Sequence, residues 1–233
     1  MPEQTTELAT MLENSFQQPS IADAVPADFN KARFIQNAIA LVADNEQLAK
    51  YPKAKLLPGL LKGAYMGLDF FQKDCFLVPY GDALQFQISY KGMIKMCERF
   101  SVRPISSIYA KVIREGDEFA EGVEKNQPYI NFTPKPLNDG AIIGAFAVVE
   151  YQDGTIQYEV MNKNQLQNVK TLSKAQAGNA WKMFPEEMFK KTVIKRLCKN
   201  IALNLGTEQL KVYNADDPIQ TKEVSEVVNP FTE

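Results

Sequence analysis

Lys191, Lys195 and Lys199 recur every four residues, an interval that lines side chains up along one side of an α-helix. Ammonium groups held in such a row neutralise phosphates without reading anything else about the polymer that carries them. The surrounding stretch is strongly basic, with Lys182, Lys190, Lys191, Lys195, Arg196, Lys199 and Lys211 set against Glu186, Glu187 and Glu208. With Lys191 at zero and about 100° per residue, Lys195, Lys199 and Arg196 fall at about 40°, 80° and 140°, while Phe189, Val193, Leu197, Ile201 and Leu205 run from about 160° to 320°. The spacing predicts a helix with a cationic side and a core side. Pro185, Glu186 and Glu187 suit its first turn, where a missing N–H costs nothing and acids meet the positive end of the dipole. Lys190 falls inside the apolar arc and is expected to snorkel past its neighbours.

A second four-residue cationic series, Lys91, Lys95 and Arg99, lies in a segment whose Met93, Ile94, Met96, Cys97 and Phe100 form an apolar side. Just before it, Gly81-Asp82 separates two β-prone runs, Cys75 to Pro79 and Leu84 to Ser89, which signals a hairpin. Alternation places Leu84, Phe86 and Ile88 on one side and Gln85, Gln87 and Ser89 on the other. Cations, amides and the aromatics Phe86, Tyr90, Tyr109 and Trp181 together suit a single-strand nucleic-acid groove, since a ring stacks on any base for about 1 to 3 kcal/mol. Lysine stripes also serve simply as solvated helix faces, so composition by itself leaves both readings open. Trp181 is read equally well as a packed core residue or as part of the groove.

The chain has 233 residues, 45% of them hydrophobic, which is enough for one sizeable core. It contains no histidine, which excludes Ser-His and Cys-His nucleophile pairs, imidazole bases and histidine metal ligands. Cys75, Cys97 and Cys198 are far apart in apolar contexts and read as small core residues. Neither a GxxxxGK[ST] loop nor a GxGxxG turn is present, so nucleotide use is not indicated. The net charge of −2 hides an uneven distribution: the ends are acidic and the middle basic, and only charges within about 10 Å set the field at a groove. Apolar runs are too short to cross a bilayer, and Glu3 and Glu7 stand where a basic leader would, so a cytoplasmic protein without membrane partners is expected.

Residues 1–27, with a weak Leu8, Met11, Leu12, Phe16 periodicity before Pro19 and Pro26, read as a mobile arm available to a neighbouring subunit. Helices are expected from Phe29 to Leu48 and from Lys53 to Met66. Strands follow at Ile105 to Ile113, Ala141 to Tyr151 and Thr155 to Val160. Pro128, Pro134 and Pro136 mark a loop-rich stretch around Tyr129 to Phe132. Asn162 or a neighbour caps a short helix, Ser173 to Ala180 reads as a mobile loop, and residues 213–233 as an acidic, disordered tail.

Three blocks, Gly67 to Gly81, Leu84 to Gly92, and Trp181 followed by Met188 to Lys199, resemble in order and spacing the RecT family of phage single-strand annealing proteins. The pattern departs from the family at Asp69-Phe70-Phe71, where a proline-containing turn is expected, and in the short chain after Leu210. The resemblance implies a recombinase that binds single-stranded DNA and anneals complementary strands without ATP. It implies rings or helical filaments of identical subunits, an annealed duplex intermediate, and a phage exonuclease as partner. It also implies an α+β fold: a small hairpin-built sheet against a long basic helix, flanked by N-terminal helices. With the arm and tail set aside, the DNA-binding core is read as 28–212. No cofactor is required, Mg²⁺ entering only with DNA, and no catalytic residue is implied.

Annealing asks for a protein that holds phosphates and leaves base edges free. The residues expected to contact DNA are Lys91, Lys95, Lys191, Lys195 and Arg196 for phosphates, Gln85, Gln87 and Thr192 as neutral donors, and Tyr90, Trp181 and Lys199 beside them. Arg99, Arg103 and Lys111 are weaker choices. A second reading is an Mg²⁺-dependent nuclease drawing on Asp69, Asp74, Asp82, Asp117, Glu118 and Glu150. A third is a scaffold or adaptor whose basic faces meet an acidic protein.

Overall fold

A computed structural model describes residues 2–172 and 179–215. The elements run α1 (Pro2–Gln17), α2 (Pro19–Ala22), α3 (Lys31–Ala43), α4 (Glu46–Ala49), α5 (Lys53–Tyr65), β1 (Cys75–Tyr80) and β2 (Ala83–Ile88). They continue through α6 (Tyr90–Phe100), β3 (Ile105–Arg114), β4 (Glu118–Glu124), β5 (Gln127–Thr133), β6 (Ile142–Tyr151) and β7 (Ile156–Asn162), then α7 (Lys163–Leu172), α8 (Asn179–Met183), α9 (Pro185–Lys199) and α10 (Thr207–Ala215). Where a single core was expected, the chain forms two compact units: Met1–Met96 with Leu205–Glu233, and Cys97–Asn204. Most of the loop expected before the basic helix, 173–178, and the acidic stretch 216–233 lie outside the described residues.

In the first unit, α1 overturns the expectation of a mobile arm. Leu8, Leu12 and Phe16 are buried, and α1 packs on α3 and α5. Ring contacts pass from Phe16 to Phe34, then to Phe70 and on to Phe86, joining α1, α3, the approach to β1, and β2. The stripe thought available to a neighbouring subunit is spent inside its own chain. Pro19 does not release the chain either, because it opens α2 at a position that needs no N–H. α10 likewise runs past the expected tail boundary at 213. Val212 is buried, and the Gln209 amide donates to the carbonyls of Ala24 (3.3 Å) and Tyr65 (3.1 Å).

α5 ends on Gly67 at φ 64, and the Leu68 N–H returns to the Gly63 carbonyl at 2.9 Å. Where a proline turn was expected, Asp69 makes the turn itself: its Oδ1 accepts the N–H groups of Phe71 (2.8 Å) and Gln72 (3.4 Å). The hairpin then forms as its sequence indicates, with Cys75 opposite Ile88, Tyr80 opposite Ala83, and Gly81 in the left-handed region at φ 58. Pro79 pairs with Leu84, one pair removed from the turn. That is a site without ladder hydrogen bonds, so its missing N–H costs nothing.

The second unit is built on an antiparallel sheet of order β3-β6-β7. β6 is buried continuously from Gly144 to Val149 because both of its faces are covered. Phe146 and Val148 join Ile113 in a cluster with Phe119, Ile130 and Phe132 from the β4–β5 hairpin and Ile156, Tyr158 and Val160 from β7. Alternation sends Ala145, Ala147 and Val149 to the other face, and α9 packs on this sheet through Phe189, Val193, Ile194, Leu197 and Cys198. The β4–β5 hairpin replaces the loop expected around Tyr129. Its turn uses Lys125 and Asn126, both at positive φ (50 and 63), so no glycine announced it. α7 is capped as expected: Asn162 Oδ1 accepts the Gln165 N–H at 3.0 Å, and Gln165 Oε1 accepts the Asn162 N–H at 2.9 Å.

α9 begins at Pro185 as predicted but stops at Lys199, so Ile201 and Leu205 lie beyond it rather than on its apolar stripe. Ile201 is buried nonetheless, and the next residues return to the chain before β3, with Ser101 bridging to Leu203. Among the described residues no helix is long and apolar enough to cross a membrane.

Candidate nucleic-acid interface

The residues expected to contact DNA divide between the units. Trp181, Lys191, Thr192, Lys195, Arg196 and Lys199 belong to the second, and Gln85, Gln87, Tyr90, Lys91 and Lys95 to the first. On α9, Lys195, Arg196 and Lys199 are exposed and Lys191 is half-buried, opposite the face that meets the sheet. Lys191 and Lys199 each have an interaction partner. Arg196 is pinned: its Nε lies 2.7 Å from Glu159 on β7, Asn200 Nδ2 donates to the same carboxylate at 3.5 Å, and Gln157 donates to the Asn200 carbonyl at 3.1 Å. A phosphate at Arg196 must therefore compete with Glu159.

Thr192 is a poor donor, since its hydroxyl already donates to the Met188 carbonyl at 2.8 Å. Trp181 is only 4% exposed and meets Phe189 edge-on with ring centroids 6.0 Å apart. The core reading of this tryptophan holds, and its ring is out of reach of a base. Lys190 snorkels as expected, reaching Glu187 at 2.5 Å and Glu186 at 3.5 Å. Burial pulls its pKa down, but the two carboxylates outweigh burial and raise it.

In the first unit the β2 parity holds: Phe86 and Ile88 are buried, Gln85 is exposed and Gln87 half-buried. Ser89 accepts the Gly92 N–H through its hydroxyl at 3.0 Å and so starts α6, which leaves Lys91 exposed in the first turn. Lys95 is engaged elsewhere. Its ammonium donates to Asp74 Oδ2 at 2.8 Å and to Gln72 Oε1 at 2.7 Å. Asp74 is almost fully buried, so Lys95 neutralises a carboxylate the fold cannot leave alone. Tyr90 is half-buried with a partner of its own. Of the weaker choices, Arg103 lies over the Tyr151 ring at 3.9 Å and pairs with Asp153 at 2.8 Å.

Of the aromatics expected at the groove, Tyr109 stays 37% exposed, and further exposed rings lie at positions the sequence reading did not single out. Phe76 and Tyr80 on β1 remain 42% and 46% exposed. The signal was the parity of β1, where Phe76, Val78 and Tyr80 alternate with the buried Cys75 and Leu77.

Of the acids considered for a nuclease, Asp69, Asp74, Asp117 and Glu150 hold structure. Asp69 accepts from Asn37 at 2.7 Å, Asp117 from the Arg114 N–H (2.7 Å), the Lys135 N–H (3.0 Å) and Asn138 (2.7 Å), and Glu150 from Ser107 at 2.8 Å. Among the described residues no three Cys, Asp or Glu side chains are grouped to hold a metal ion. All three thiols are buried. Burial is the main cause that raises Cys75, whereas Cys97 is raised first by its hydrogen bond with Cys198 and then by burial.

Residues 32–229 match the RecT family. The chain belongs to the RecT family. It is also similar to protein RecT of Escherichia coli (strain K12), 27% identical over 243 residues that cover 96% of this chain and 89% of that protein. The RecT match takes in the hairpin, α6 and α9, so the cationic helices of both units lie inside the family region.

Proposed function

We propose that this chain binds single-stranded DNA and anneals complementary strands without ATP. Membership of the RecT family supports a role in recombination and strand annealing. The observation that carries the residue-level reading is α9: its apolar residues are buried while Lys195 and Lys199 stay exposed on the side away from the sheet. Lys191, Lys195 and Lys199 hold phosphates there, and Lys91 does so on α6. Arg196 joins only where DNA displaces Glu159, and Lys95 acts chiefly within its own unit. Gln85 and Gln87 donate to the backbone, which leaves base-pairing edges free. The protein works as a homo-oligomer in the cytoplasm of a bacterial host, beside an exonuclease that exposes the strand, with Mg²⁺ entering only through DNA.

The test is ATP-free annealing of two complementary oligonucleotides, one end-labelled, in Mg²⁺, followed on native and denaturing gels. Faster duplex formation with intact label is expected. Shortened label would make the carboxylates the reactive groups, and no shift of single strands would remove the proposal. The double variant K191Q/K195Q is expected to flatten the dependence of log affinity on log salt by about 1.4, at about 0.7 per single-strand phosphate contact. An unchanged slope excludes both lysines from the interface.

A further inference from the structure

The β1–β2 hairpin pairs Phe76 with Gln87, Val78 with Gln85 and Tyr80 with Ala83. Its outward side therefore collects two exposed rings, an aliphatic residue, two amides and no charge. The polar atoms are linked, with the Gln87 amide 3.4 Å from the Tyr80 hydroxyl and 3.5 Å from Gln85 Oε1. Cations stand at both ends of the hairpin. At the turn, Lys55 Nζ reaches the Asp82 carbonyl at 3.2 Å, and Lys50 and Lys55 line a concavity of about 500 Å³ with Pro79 and Asp82. At the other end, Lys91 is exposed in the first turn of α6, which follows β2 directly, while Lys95 is spent on Asp74, the residue preceding β1. A neutral aromatic face between cations complements a polyanion whose flat apolar parts alternate with its charges.

From this we infer that the outward side of the β1–β2 hairpin is a base-stacking platform for single-stranded DNA, Phe76 and Tyr80 each taking the face of a base. The inference rests on the annealing reading. Lys50 and Lys55 hold backbone phosphate at the turn, and Gln85 and Gln87 donate to phosphate or sugar oxygens. The Cα atoms of Phe76 and Tyr80 lie about 13 Å apart, four strand residues at about 3.3 Å each. That spans at most about four stacked nucleotides, at about 3.4 Å each, and fewer between the rings themselves, since the Tyr80 hydroxyl reaches back to Gln87, the residue opposite Phe76. Stacking holds a base by its face and keeps its pairing edge open, which a protein that must present one strand to another requires.

The experiment compares the full chain with F76A, Y80A and the double variant, using fluorescence anisotropy of labelled oligo-dT and of an abasic oligonucleotide of equal length across a salt series. The wild type should prefer the dT probe. Each alanine should weaken dT binding by roughly 5- to 150-fold, leaving abasic affinity and the salt slope unchanged. Phe76→Tyr and Tyr80→Phe should restore dT binding, and unchanged melting temperatures establish that all variants are folded. Variants that bind dT like the wild type, or lose both probes equally, would overturn the platform while the annealing reading stands. Lost self-association by light scattering at unchanged DNA affinity would also overturn it, making this face a contact with a second copy. A wild type that binds neither probe would remove both proposals.

Discussion

Replacing Leu8 or Leu12 with alanine is expected to destabilise the protein by about 2 to 5 kcal/mol each. Both side chains are essentially inaccessible, at 1% and 0% exposure, in the interface of α1 with α3 and α5. Phe16, one turn beyond Leu12 on α1, is buried too, and its ring meets Phe34 of α3 edge-on with centroids 6.2 Å apart, so the seam is filled by apolar side chains. The first unit therefore has little freedom to collapse around the loss. Because natural proteins are stable by only about 5 to 15 kcal/mol, the double variant should be partly unfolded at physiological temperature. Residues four apart on one helix share neighbours, so the two losses need not add. Urea unfolding followed by circular dichroism measures the effect. A segment lying free on the surface would shift stability by no more than about 0.5 kcal/mol, and a result that small would restore the arm reading.

What the sequence hid about α1 is instructive beside what it displayed elsewhere. α9, the β1–β2 hairpin and strands β3, β6 and β7 were legible because each repeats its own period: four-residue spacing in Val193 and Leu197, alternation in Phe86 and Ile88, and an unbroken apolar run in Ala145 to Val149. α1 carries a comparable repeat in Leu8, Leu12 and Phe16, but Pro19 and Pro26 suggested a loose segment. Local spacing cannot reveal that α3 and α5 offer a matching surface. The β4–β5 hairpin failed for another reason. Its inward residues are interrupted by Glu121, and its turn residues Lys125 and Asn126 adopt positive φ without the glycine that usually marks it.

The candidate site was legible as a set of charges and illegible as a set of partners. Spacing placed Lys91, Lys95, Lys195 and Arg196 on exposed sides of their helices, which the fold bears out. Nothing in the spacing indicated that Asp74 holds Lys95 or that Glu159 holds Arg196, since these acids lie 21 and 37 residues away in the chain. Aromatics failed in part. Trp181 was attractive by type but is buried, Tyr109 is exposed, and the parity of β1 exposes Phe76 and Tyr80 as well.

Gly92→Ala should be the other severe substitution, and Gly59→Ala supplies its control. Both glycines lie inside helices, α6 and α5, where alanine is intrinsically better by about 1 kcal/mol. At Gly59 a new Cβ would come within 2.6 Å of a Leu77 methyl, the far end of a side chain that can rotate away. At Gly92 it would meet the Asp74 carbonyl oxygen at 2.1 Å and the Ile88 Cγ2 at 3.0 Å, and the first of these is backbone. That carbonyl also accepts the Ser89 N–H at 2.8 Å, next to the carboxylate that holds Lys95. Moving Asp74 aside disturbs the start of β1, the cap of α6 and the Lys95 pairing together. Overpacking of this kind costs about 1 to 3 kcal/mol, and more where backbone must give. At about 2 to 4 °C per kcal/mol for a chain this long, G92A should melt several degrees below the wild type, with G59A close to it. Equal melting temperatures for the two variants would mean that the Asp74 backbone yields freely. In that case α6 is not held against the start of β1 by close packing, and the position of Lys91 beside the hairpin has to come from the Lys95–Asp74 pair alone.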